Sequence, residues 1–155
     1  MKKKLLVPML ASVIVLPVSY AGNLSEADAI VFSRVVAYVY PDIARSVCRN
    51  QSSETKKRLE TALHTSGLTN MPISAICGDG VCLRASGDEK IKRDPKAIKT
   101  MIDNFRNEQI ESHSKESPEE LTRLCTQTVL SLESIKDTKG KKPEEIISEV
   151  FAHQR

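Results

Sequence analysis

Residues 117–135 read SPEELTRLCTQTVLSLESI, and the fold class follows from how this stretch is built. Ser117 is a helix-capping residue. Pro118 stands at the first helical position, where an amide donor has no use, and Glu120 falls where a capping-box carboxylate reaches back. Behind them Leu121, Leu124, Cys125, Thr128, Leu132 and Ile135 recur at helical spacing, so they share one face of an α-helix, with Cys125 on its inner side.

The same grammar recurs on both sides. Asp94-Pro95 opens a helix whose buried stripe is Ile98, Met101, Ile102 and Phe105, extended by Ile110. Gly140, within the Lys136–Lys142 run, separates the central helix from a last short one, which Pro143-Glu144-Glu145 starts and Ile146, Ile147, Val150 and Phe151 anchor. Three proline-initiated helices in one half of the chain argue for a compact bundle.

Further upstream, Ser53–Ser66 carries a narrow apolar face of Leu59, Ala62 and Leu63, and Gly67 is placed to terminate it. Ser25 offers a cap, with Glu26 and Asp28 in the first turn, to a helix with Ile30, Val31, Phe32, Val35, Val36 and Val39 on a broad face. Pro41 is expected to end or kink this helix near Tyr40. A second helical stretch over Asp42–Cys48 then turns Ile43, Ala44 and Val47 inward. Met71–Ala85 has a different texture: Ile73, Ile76, Val81 and Leu83 flank Gly78-Asp79-Gly80 without a helical period, which reads as a short β-hairpin or a disulfide-pinned loop. Ser86–Arg93 is polar and expected to be exposed. The expected fold is mainly α, a disulfide-stabilised bundle of about five helices with one short β-hairpin or pinned loop.

Residues 1–21 are expected to stand outside this domain. Lys2, Lys3 and Lys4 precede an uncharged apolar run, Leu5–Val18, and Ser19-Tyr20-Ala21 supplies small residues at the positions a signal peptidase reads. The run is shorter than the roughly 20 residues of a membrane-spanning helix, and Pro8 and Pro17 interrupt it. Cleavage is expected after Ala21, leaving a single helical domain over residues 22–155, in the periplasm or secreted. The full chain carries 23 basic and 20 acidic residues, a formal net charge of +3. The leader holds three lysines and no acid, so residues 22–155 are balanced at 20 against 20. A charge-balanced domain has no general attraction for nucleic acid or for a membrane surface, and no stable membrane insertion is expected after cleavage.

Export makes disulfides the default state of Cys48, Cys77, Cys82 and Cys125. The favoured pairing is Cys77–Cys82, closing the Gly78-Asp79-Gly80 link, and Cys48–Cys125, stapling two helices. The alternative joins Cys48 to one of the middle cysteines and Cys125 to the other. In the chain-entropy description the long closure is worth roughly 4.5 kcal/mol and the short one roughly 2. A zinc site is not expected, because no ligand pair stands near Cys77 and Cys82 and His64, His113 and His153 are scattered. Residues 76–83, ICGDGVCL, resemble the opening of Cys-rich calcium-binding extracellular repeats, but the likeness is local: the next cysteine is 43 residues on.

No catalytic constellation stands out. There is no G-x-S-x-G motif, the glycine loop lacks a phosphate-binding context, and cysteines held in disulfides are not nucleophiles. Lys56-Lys57-Arg58 and Lys136–Lys142 are the basic clusters, and each has acids nearby. No cofactor or metal is expected and no residue is assigned a catalytic role. The expected function is that of an exported, non-enzymatic protein-binding factor, such as an inhibitor, an immunity protein or an envelope or secretion accessory protein. Its partner would be another envelope or extracellular protein, and Gly78, Asp79 and Gly80 would form the presented element. The alternative is a small secreted hydrolase or toxin using His113 with an acid such as Asp103 or Glu111. Otherwise His113, like His64 and His153, reads as a solvated histidine near a helix end.

Overall fold

A computed structural model of the chain describes residues 26–84 and 95–154. The leader over residues 1–21, the Ser25 cap, the polar stretch Ser86–Arg93 and the Asp94 cap lie outside them. The helices are α1 (Glu26–Val47), α2 (Ser53–Ser66), α3 (Val81–Arg84), α4 (Pro95–Ser114), α5 (Pro118–Ser134) and α6 (Pro143–His153). Two 3-10 segments, Leu68–Asn70 and Ile73–Gly80, connect α2 to α3. Among the described residues there is no strand, so the fold is a mainly α bundle. Of the two forms expected for Met71–Ala85, the structure has the pinned loop and not the hairpin.

The long helix α1 is the hub, touching each of the other five helices and both 3-10 segments. That position explains its composition. From Arg34 to Ala44 all but Tyr38 and Asp42 are buried, so this part of the helix is covered nearly all round, as its continuous apolar sequence requires. It also explains why Pro41 does not stop it: α1 runs unbroken through the proline to Val47. Pro41 has no amide for the Ala37 carbonyl and its ring crowds that turn, at a cost of about 3 kcal/mol in an exposed helix. Here Val39, Tyr40, Ile43, Ala44 and Val47, on both sides of Pro41, are buried. Each fully buried large aliphatic side chain contributes roughly 1.5–3 kcal/mol, so the packing that spans the proline outweighs the break.

The remaining helices begin and end where their caps place them. The Ser52 hydroxyl accepts from the Thr55 amide at 3.2 Å, and Gly67, at φ +79°, closes α2 by donating to the His64 carbonyl at 3.0 Å. Only glycine takes that left-handed conformation without strain. The Ser117 hydroxyl accepts from the Glu120 amide at 3.1 Å, but the Glu120 carboxylate pairs with Arg123 instead of completing the capping box. At α6 the Glu145 carboxylate accepts from the Lys142 amide at 2.6 Å.

Apolar side chains from every helix but the polar outer turns form one buried cluster. Cys48 at the end of α1 and Cys125 in the middle of α5 are bonded inside it, with Cα atoms 5.1 Å apart. Cys77 and Cys82 form the second bridge, with Cα atoms 5.0 Å apart, and no free cysteine remains. The favoured pairing is therefore the one present. A buried polar contact joins α1 to the end of α6. The Tyr40 hydroxyl, fully buried, accepts from the Gln154 side-chain amide at 3.2 Å. Burial pushes that phenol above its ordinary range, while hydrogen bonding with Thr128 and Gln154 acts in the opposite direction. Tyr40 also meets Phe151 edge-on, with ring centroids 6.3 Å apart, so the last turn of α6 is fixed to the middle of α1.

Replacing both Cys48 and Cys125 by Ala is expected to lower unfolding stability by about 2–5 kcal/mol, against about 2 for the Cys77/Cys82 double replacement, measured by urea denaturation. Equal losses would show that the long closure is not the principal staple.

Candidate functional site

The segment Ile73–Gly80 is two helical turns joined across a bend. Gly78 is extended (φ −56°, ψ 157°), and Asp79 (φ +59°) and Gly80 (φ +64°) follow in the left-handed region. Two consecutive left-handed residues reverse the chain sharply, letting Val81 begin α3 and Cys82 return to Cys77. Gly80 suits this conformation by having no Cβ, and aspartate is among the few side chains that tolerate it. Gly78 needs no such freedom. A Cβ there would meet only the Arg34 Nη1 atom, at 3.8 Å.

What holds the bend is Arg34, which is only 4% exposed. Its Nη1 donates to the Gly78 carbonyl at 2.9 Å and, less closely, to those of Ala75 and Ile76, each at 3.4 Å. Its Nε and Nη2 donate side by side to the Glu144 carboxylate, both at 3.0 Å. The Asp79 carboxylate lies 3.7 Å from Nη2 and 3.6 Å from the Lys142 ammonium. One guanidinium thus joins α1, the loop and the first turn of α6. Arginine suits the task because its planar fork serves a carboxylate with one edge and carbonyls with another. Burial pushes the Glu144 carboxyl up, but the Arg34 hydrogen bonds and charge, with Lys142 nearby, outweigh it and hold it below the usual carboxylate range.

The outward side of the loop has a different character. Three large apolar side chains are exposed among the described residues: Ile73 (44%), Leu83 (71%) and Leu130 (54%). Two of the three, Ile73 and Leu83, flank the bend, and the Asp79 side chain between them is 70% exposed. Ile76 and Val81, by contrast, are buried in the core. The loop is therefore anchored through one set of apolar residues and presents another.

The histidines fall elsewhere. His64 and His153 are exposed in the last turns of α2 and α6, where a cation meets the negative helix end. His113 is not solvated: it is 2% exposed, on the inner face of α4 one turn beyond buried Gln109. The acids considered with it are not brought to it. Asp103 lies ten residues away on the same helix, about 15 Å along the axis, and is paired with Lys99 and Arg106. Glu111 is exposed, 3.6 Å from Lys115, and a residue two positions away on a helix faces a different direction. Among the described residues no three His, Cys, Asp or Glu side chains form a group that could hold a metal, and no helix is long and apolar enough to cross a membrane.

Sequence reasoning missed Arg34 and Glu144. A sign of the first was available: Arg34 is the only charge between Asp28 and Asp42. A lone charge in so apolar a helix must find buried partners. Glu144 carried no such sign, because an acid in a first helical turn is explained by capping alone. Comparison with protein-family models, curated proteins and solved structures finds no match.

Replacing Glu144 by Gln is expected to cost about 1.5–3 kcal/mol at neutral pH, since it removes the charge opposite a buried guanidinium. Because the folded-state carboxyl is depressed, its stabilisation is present above the unfolded value near 4.3 and is lost as pH falls through the lower folded value. The gap between wild type and Glu144→Gln in urea unfolding should therefore narrow below about pH 4. A gap independent of pH would mean that Glu144 does not act through its charge.

Proposed function

We propose that the protein is exported through residues 1–21 and acts as a non-enzymatic protein-binding factor, using the loop over residues 73–83 as its docking surface. The observation that carries this reading is the placement of Ile73 and Leu83. Ile73 and Leu83 are large apolar side chains left in water beside a turn held by a disulfide and a buried arginine, and covering them by a partner would be favourable. A loop fixed before contact loses less conformational entropy on binding than a free one, so both restraints favour recognition. Two disulfides with no free cysteine support an oxidising compartment, the periplasm or the cell exterior. The charge balance of residues 22–155 supports a protein partner and not an anionic polymer. Inhibitors, immunity proteins and accessory factors of envelope or secretion systems have this character.

The test uses the exported chain, with a mass that begins at Gly22, as bait in an envelope fraction. Wild type is compared with an Ile73→Asp/Leu83→Asp variant of unchanged circular dichroism. A protein retained by wild type and lost with the variant is the expected result; the same retained set for both would remove the loop from the interface.

A further inference from the structure

The two disulfides differ in what surrounds them. Cys48 and Cys125 are 1% and 0% exposed, bonded inside the apolar cluster. Exchange requires an attacking thiolate to meet a sulfur of the bridge directly, so this bond reacts only when the bundle opens. Cys77 is half-buried, and the Asp79 and Gly80 that follow it in the loop are exposed. Its partner Cys82 is 4% exposed. Of the four sulfurs, that of Cys77 belongs to the residue that solvent reaches most. The consequences of breaking the bonds differ as well. The short bridge spans a sequence separation of 5 and the long one 77, so the long closure restrains the unfolded chain far more. The loop also keeps restraints that involve no sulfur. The Gly78 carbonyl accepts from Arg34 Nη1 at 2.9 Å and from the Val81 amide, and Ile76 and Val81, the residues immediately before Cys77 and Cys82, are buried. These contacts hold both cysteines near one another whether or not they are bonded.

We propose that Cys77–Cys82 is a reversible thiol–disulfide exchange site whose substrate is an external dithiol, while Cys48–Cys125 is a permanent staple. A thiolate of the dithiol bonds to Cys77 Sγ, the Cys77–Cys82 bond breaks, and its electron pair leaves on Cys82 Sγ, which takes a proton from water. The second thiol of the dithiol loses its proton and attacks the dithiol sulfur of the mixed disulfide. Cys77 Sγ leaves with the electron pair and is protonated. Two electrons pass in all: the dithiol becomes a disulfide and the protein gains two thiols. A small disulfide as oxidant reverses the sequence, because the loop keeps Cys77 and Cys82 within reach of each other. The inference is independent of the docking reading, since it concerns the bond that closes the loop and not what the loop meets.

The experiment treats the disulfide-bonded protein with dithiothreitol at neutral pH without denaturant, stops samples with iodoacetamide, and follows each cysteine by peptide mass. Cys77 and Cys82 are expected to be alkylated at least about tenfold faster than Cys48 and Cys125, with the helical circular dichroism unchanged while only the first pair is modified. Low urea should speed the reduction of Cys48–Cys125, which needs opening, and leave that of Cys77–Cys82 unaltered. With glutathione in place of dithiothreitol and Cys82 capped by iodoacetamide, fragmentation should place the mixed disulfide on Cys77. Oxidised dithiothreitol added before alkylation should restore the Cys77–Cys82 bond. Reduction of both bridges in one step with loss of helix, or of Cys48–Cys125 first, would overturn the proposal. A glutathione adduct on Cys82 would overturn the assignment of Cys77 as the attacked sulfur, and a reduced pair that does not re-form would overturn reversibility.

Discussion

The contact between Arg34 and its two sets of partners is the constraint on which the arrangement of the loop rests. A guanidinium buried in a bundle this small is stable only if its donors are satisfied, and here a carboxylate from α6 and three loop carbonyls satisfy them. The dependence is mutual. Without Arg34 the Gly78 carbonyl would keep only the Val81 amide as a donor, the loop would lose its tie to α1, and the part-buried Glu144 carboxylate would lose its bidentate partner. The disulfide closes the loop as a ring, but a ring of six residues has many shapes; the arginine selects one and fixes its position on α1.

The helices are arranged to keep that contact in place. Glu144 is set by the first turn of α6, and α6 is fixed at its other end where Phe151 and Gln154 meet Tyr40. Tyr40 lies six residues beyond Arg34 on α1, so α6 is attached to one helix at two points. The Cys48–Cys125 bridge ties the far end of the same helix to α5. On the surface, Arg45–Glu60, Arg58–Glu133 and Arg106–Asp42 link neighbouring helices with short contacts of 2.7–2.9 Å. Exposed pairs of this kind contribute little to stability, and they serve more to fix register than to hold the bundle together.

Much of this was legible in the sequence, for identifiable reasons. Helix starts are written in short-range chemistry, and Ser117-Pro118, Pro143 and the Ser53–Ser66 span with its Gly67 stop all fall where the structure has them. The disulfide pairing was legible because loop size and helix face favoured one combination. Pro41 was expected to end or kink the first helix; it does not end it, because packing on both sides of the proline outweighs the local preference. Of the hairpin and the pinned loop expected near Gly78, the structure has the loop, whose Gly78 carbonyl is held by an arginine 44 residues away and not across a strand ladder. His113 misled: its Ser- and Glu-rich neighbours point outward while the histidine itself faces the core. The clamp was the least legible part, since Arg34 and Glu144 are 110 residues apart and neither belongs to a motif.

The most direct measurement is amide hydrogen exchange of the disulfide-bonded protein with Arg34 replaced by Met, which keeps the apolar stem and removes the donors. The account predicts that protection falls selectively at residues 75–83 and in the first turn of α6, while α2 and α5 exchange as in wild type. Unchanged protection in the loop, or a uniform loss across all helices, would contradict the claim that this one side chain sets the conformation of the loop.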